Sequence, residues 1–289
     1  MRTDSQRGPL TPRDRELVRA SLSELARVSQ TSILAALGAP SESSVAALCI
    51  NSSSNLESKY GPRLFKSACD SIALSVTAAA DNIDSFVSSL KVERATVSMA
   101  ALTRAAVEAY GRAYFLLRAQ TDLEFFHRYL SLTHEELKFP EKHSGLTDAE
   151  GVEIDGPAYR AELVELATKL GIEKLLNIGL GSLVSDVLDQ MVEGPVDLAI
   201  YSQLSGVAHG TTSAVGMFIE TSPTGWKLIF PRDIALEYTG YLYVSAVTVT
   251  DRAIEMFEPP ALIRDRWQAA RDRSSVALSE LRNSEASDD

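Results

Sequence analysis

With 289 residues, 45% of them hydrophobic and 23% charged, and 28 basic against 39 acidic side chains, the chain has the makeup of an ordinary globular protein with a formal charge of −11. That charge repels a phosphate backbone and excludes general DNA binding, while leaving room for a local basic groove. No apolar run is long enough to span a bilayer, so no membrane association is expected. The opening MRTDSQRGPLTPRDREL lacks the apolar stretch of a signal peptide, so a cytoplasmic location is expected.

Helix signals dominate the chain from its start. Residues 1–12 are expected to be a disordered amino terminus, 13–282 one helical domain, and 283–289 a disordered acidic tail ending in SEASDD. Thr11-Pro12 reads as an N-cap with proline at the first helical position, and opens a helix to about Gly38. A Ser/Asn/Pro-rich connector follows, with a short helix near Val45 to Ile50. Pro62 opens a second long helix, a third runs from about Glu93 to Ala119, and Thr121 or Asp122 caps a fourth that Pro140 stops. EKHSGLTDAEGVEIDG reads as a polar loop. Pro157 begins another helix, ended by Gly171, and a shorter one follows Ser182. Pro195 opens the helix carrying YSQLSGVAHGT. Two apolar runs around Ser222-Pro223-Thr224-Gly225 give a β-hairpin signal near Phe218 to Phe230. Asp233 is expected to cap a long helix to about Phe257, which Pro259-Pro260 breaks before an amphipathic last helix. The fold class is therefore all-α, a helical bundle with one small β-hairpin insertion.

Two polar stripes stand out on otherwise apolar helices. In VSMAALTRAAVEAYGRAYFLLRA the residues Arg104, Glu108 and Arg112 are spaced by four and share a face, with Ala100, Ala101 and Gly111 leaving room beside them. Unpaired charge is costly to bury, so this stripe is either an internal ion-pair ladder or one wall of a polar cleft. Tyr201, Ser205 and His209 repeat the design, opposed by Ile200, Leu204 and Val207. A histidine just before Gly210 can serve the carbonyl end of its helix, or act as a ligand donor or general acid/base facing Arg104 and Glu108. If the two stripes meet, each satisfies the other.

Other chemistries are poorly supported. No Gly-x-Ser-x-Gly elbow accompanies Ser205. His127 and His134 are two helical turns apart, HEELK lacks the second histidine of a zincin, and Cys49 and Cys69 show no Cys-x-x-Cys spacing, so no metal is expected. GIEKLLNIGLGS has glycines but no preceding strand, so it does not read as a nucleotide-cradling loop. No cofactor is expected.

The combination of LTRAAVEAYGRAYFLL with a later YSQLSGVAHGT and a hairpin resembles a group of bacterial, often actinobacterial, helical proteins of unknown function. These are similar to the HEPN superfamily, whose members are helical, commonly dimeric and often ribonucleases. The resemblance covers roughly residues 80–257. It implies that Arg104 and Glu108 match the arginine–glutamate pair of the long helix, and that Tyr201, Ser205, His209 and Gly210 match the later signature. Asp81-Asn82 falls where such proteins tend to carry Asp-His, which makes Asp81 a candidate ligand residue alongside Arg112, Tyr201 and Ser205. No arginine lies four to six residues before His209, as the HEPN ribonuclease signature requires, although Arg128 and His134 fit that spacing. The expected function is thus a non-catalytic HEPN-like domain, a homodimer, binding a nucleotide, an RNA end or a protein partner. The alternatives are a metal-independent ribonuclease built on His209, Arg104 and Glu108, and a purely structural dimerising bundle.

Overall fold

The computed structural model describes residues 8–53, 64–91, 96–138, 146–147, 153–189 and 199–284. Among them run eleven α-helices: α1 (Pro12–Gly38), α2 (Val45–Ser53), α3 (Leu64–Lys91), α4 (Ser98–Leu117), α5 (Asp122–Glu136), α6 (Gly156–Lys169), α7 (Leu180–Leu188), α8 (Ala199–Ala208), α9 (Thr212–Val215), α10 (Arg232–Phe257) and α11 (Ala261–Asn283). Strands β1 (Leu146–Thr147) and β2 (Glu153–Ile154) pair antiparallel, as do β3 (Ile219–Ser222) and β4 (Gly225–Leu228). The fold is the all-α bundle with one small hairpin that the helix signals and turn chemistry indicate.

Caps set the boundaries. Thr11 accepts from the Asp14 amide at 3.0 Å while the Asp14 carboxylate accepts from the Thr11 amide at 3.2 Å, a reciprocal capping box at the start of α1. Thr121 caps α5 through the Glu124 amide, and Asp155 caps α6 through that of Ala158. Glu258 takes a left-handed conformation, φ 47°, where α10 turns into Pro259-Pro260.

Four differences from the sequence reading have local causes. Order begins before residue 13: Leu10 is buried and Pro9 bridges Pro231, so packing against the start of α10 holds residues 8–12. Asp233 is not the N-cap of α10; Pro231 is, and the Asp233 carboxylate accepts from the Ile234 amide instead. The loop after α5 contains the β1–β2 ladder, two residues a side and too short to leave a pattern. Finally, α7 begins at Leu180, ahead of Ser182, because Gly179 takes the N-cap. The boundaries expected at Pro62, Glu93, Pro140 and Pro195, and residues 285–289 of the tail expected from 283, lie outside the described residues; Asn283 ends the last helix and Ser284 caps it.

Helices α1, α3, α4 and α10 form the centre of the bundle; α11 lies along α1, α2 and α6 flank α5, and α7 and α8 lie against α4. One continuous apolar core joins them, with the large rings of Tyr110, Tyr238, Phe86, Phe125 and Trp267 enclosed. Cys49 and Cys69 are core residues, and burial pushes each thiol up to about 12, so both stay protonated and inert at neutral pH. No helix among the described residues is long and apolar enough to cross a membrane.

Two close fits position the helices that bear the stripes. At Gly111 an added Cβ would come within 2.7 Å of the Leu183 carbonyl oxygen, so α4 and α7 approach closely only because glycine stands there. At the hairpin base Phe218 and Phe230 stack with centroids 6.3 Å apart, and Phe230 packs on Phe86 of α3 and Tyr238 of α10. That aromatic anchor ties the segment following α8 to the bundle.

Candidate functional site

The i, i+4 spacing on α4 forms an ion pair: Arg104 Nε donates to Glu108 Oε1 at 2.7 Å, with the two side chains 19% and 14% exposed. The rest of the guanidinium turns to α8. Arg104 Nη2 donates to the Tyr201 hydroxyl at 3.1 Å, and its Cζ sits 5.2 Å from the Tyr201 ring centroid. Arg104 Nη1 lies 3.4 Å from His209 Nε2, a long contact in which the arginine donates. Arginine has no acceptor, so Nε2 can take part in this contact only by accepting. The two stripes therefore meet, and His209 itself is exposed.

The end of α8 holds His209 there. Gly210 adopts φ 69°, its amide donates to the Val207 carbonyl at 2.9 Å, and the Thr211 amide donates to the Gly206 carbonyl at 2.9 Å. This is a Schellman closure, which only a residue tolerant of positive φ makes without strain. The Thr211 hydroxyl adds a bond to the same Gly206 carbonyl at 3.1 Å. The carbonyl end of the helix is thus served by backbone groups, leaving the His209 ring for Arg104.

Electrostatically the centre is compensated. Burial works against the Arg104 charge, but Glu108 and Tyr201 outweigh it and hold the guanidinium above its ordinary range. Glu108 and Arg104 together carry no net charge, so recognition here depends on directed hydrogen bonds more than on long-range attraction. Of the five N–H donors of Arg104, Glu108, Tyr201 and His209 engage three. Two remain, beside the Tyr201 hydroxyl and the His209 ring; Ser205 is half-buried one turn along α8. Glu108, the one pure acceptor, holds the Nε side. The unused groups of Arg104 between α4 and α8 are therefore donors.

The other candidates lie elsewhere. Arg112 leaves the stripe and pairs with Glu136 of α5 at 2.8 Å, because α5 crosses α4 one turn beyond Glu108. Asp81 is exposed on α3, in a shallow groove with Arg27 and Gln30 of α1, and Asn82 bonds back to the Ala78 carbonyl. Arg128 is spent on Glu124 and the Phe115 carbonyl, and His134 lies 3.3 Å from Arg160 of α6, so these two do not form one site. The pairing of Glu136 with Arg112 has no local sequence signal, since 24 residues separate them. Compared with protein-family profiles, curated proteins and solved structures, the chain shows no match, and its function is read from its own geometry.

Proposed function

We propose that the chain is a non-catalytic, HEPN-like binding domain whose α4–α8 site takes the phosphate of a nucleotide or an RNA end. The observation that carries this reading is the donor surplus around Arg104. After Glu108, Tyr201 and His209 are satisfied, two arginine N–H groups remain beside the Tyr201 hydroxyl and the exposed His209 ring. A phosphate group offers the matching set of acceptor oxygens, and arginine supplies the fixed fork that suits it. Binding is favoured over catalysis because Glu108 neutralises Arg104, which leaves little surplus charge to stabilise a phosphorane.

The test is a titration of the protein with nucleoside mono- and triphosphates and a short RNA bearing a terminal phosphate, read by calorimetry. Saturable binding that falls about ten-fold or more in His209→Ala, without turnover, is expected, since a hydrogen bond to a charged group is worth about 1.5–3 kcal/mol. RNA cleavage that disappears in the same variant would instead establish ribonuclease chemistry, with His209 taking the 2′-hydroxyl proton. No binding of any of these ligands would leave the stripes as a structural network.

Cytoplasmic location and a homodimer belong to the same proposal. Light scattering at high micromolar concentration is expected to give twice the monomer mass; a monomer mass excludes the dimer.

A further inference from the structure

Helix α11 has two faces. Trp267, Ala270, Ser274, Ala277, Leu278 and Leu281 are buried, chiefly against α1. On the outer side Leu262 is 80% exposed and Val276 59%, with half-buried Ala269 midway between them. The three recur every seven residues, so they form one apolar line along the helix. The exposed side chains beside that line, from Arg264 to Glu280, are polar.

The charges beside the line are sorted by sign. Three residues beyond Leu262 and Ala269 stand Asp265 and Asp272; four residues beyond stand Arg266 and Arg273. With about 3.6 residues per turn, the two aspartates lie on one flank of the line and the two arginines on the other. The Asp265 and Arg266 side chains have no ion pair or hydrogen bond among the described residues, and Arg266 only attracts Glu24 from a distance. Asp272 accepts from Gln268 through one oxygen, and Arg273 gives Nε and Nη2 to Glu24 while its Nη1 stays unused.

We infer that two copies of this chain pair through this face, their α11 helices side by side and parallel about a two-fold axis that runs along them. The inference rests on the homodimer in the reading above and says where its subunits meet. The sorted flanks select both the occupant and its direction. A copy turned by half a revolution about the helix direction lays its acidic flank on the basic flank of the first. Arg266 then meets the partner's Asp265, and Arg273 the partner's Asp272, each contact made twice by symmetry. An antiparallel copy instead sets arginine against arginine and aspartate against aspartate. The apolar line meets itself in register, and Ala269 lets the two backbones come close between Leu262 and Val276. Glu280, one turn past Val276, faces its own counterpart and ends the seam.

The test uses the full chain, whose own Cys49 and Cys69 are buried and give no background. Leu262→Cys, treated with a mild added oxidant, is expected to form a covalent dimer with itself, because parallel pairing brings equivalent positions together. Cross-linking found only when Leu262→Cys and Val276→Cys proteins are mixed shows an antiparallel pair and overturns the proposal. Leu262→Asp, a change at an exposed position, should leave the monomer folded and weaken dimerisation about ten-fold or more in light scattering. Arg266→Asp should also weaken it, by setting aspartate against the partner's Asp265, and adding Asp265→Arg in the same chain should restore it. Glu280→Gln should tighten the dimer several-fold by removing a like-charge contact. An Arg266→Asp protein that dimerises as the parent does, or is not rescued by the second change, overturns the proposal. A dimer undisturbed by Leu262→Asp overturns this interface and leaves the homodimer standing, whereas a parent chain that is monomeric at high micromolar concentration overturns both.

Discussion

Replacing Arg232 by methionine is expected to destabilise the protein by about 3–5 kcal/mol, a drop of about 5–8 °C in Tm for a chain of this size. Arg232 is 7% exposed and pairs with Asp14, which is 3% exposed, at 3.3 Å. Its Nη2 also donates to the Leu281 and Ser284 carbonyls at 2.7 and 2.5 Å and contacts the Ser284 hydroxyl at 2.8 Å. One side chain thus joins the first turn of α1, the first turn of α10 and the last turn of α11. Methionine keeps most of the bulk but strands a buried carboxylate and leaves the carbonyl end of α11 without its cationic partner. The Thr11 and Ser284 hydroxyls still donate to Asp14, so the loss stops short of an isolated buried charge. Removing both charges, Asp14→Leu with Arg232→Met, should cost less than the two single losses added together, because the second change removes the group the first one strands. Denaturant and thermal unfolding of the set measure this. A Tm for Arg232→Met within about 1 °C of the parent would show that the network contributes nothing net.

The sequence announces this network only in fragments. Asp14 is legible as a capping residue three positions after Thr11, but its partner is 218 residues away and no period connects them. The same distinction separates what was legible at the candidate site from what was not. Arg104 with Glu108, and Tyr201 with Ser205 and His209, are local spacings on single helices, so the 3.6-residue turn alone groups them. That the two groups face each other follows only from burial: each stripe needs a polar partner, and each helix is otherwise apolar. Arg112 obeys the same spacing yet leaves the stripe, because a spacing says which face a side chain starts from and not which helix crosses that face. Turn chemistry was equally local. Gly210 marks the end of α8 and Ser222-Pro223-Thr224-Gly225 the hairpin, and both stand where expected.

Glu108→Gln is expected to strengthen phosphate binding at the α4–α8 site, and Arg104→Ala to weaken it strongly. The two changes touch the same ion pair, so a purely structural role predicts that both simply destabilise the protein. Under the proposed function their effects on ligand have opposite signs. Glutamine retains an oxygen that accepts from Arg104 Nε, where the carboxylate now accepts at 2.7 Å, so the guanidinium stays aimed at Tyr201 and His209. What disappears is the negative charge that compensates the arginine and repels an incoming phosphate. For charges separated by a few ångströms in a partly exposed site this is worth about 1 kcal/mol, or about a five-fold gain in affinity. Arg104→Ala removes the donors and leaves Glu108, 14% exposed, facing the ligand uncompensated. Binding should fall about a hundred-fold, the loss of one charged hydrogen-bonding group plus the new repulsion. Stability is the control. Both variants lose the pair and should unfold at lower temperature than the parent, so a gain in affinity by Glu108→Gln cannot come from a firmer fold. Calorimetry at fixed ionic strength with a nucleoside monophosphate reads both. If Glu108→Gln binds more weakly than the parent while still folded, the glutamate is a ligand contact and the phosphate assignment fails.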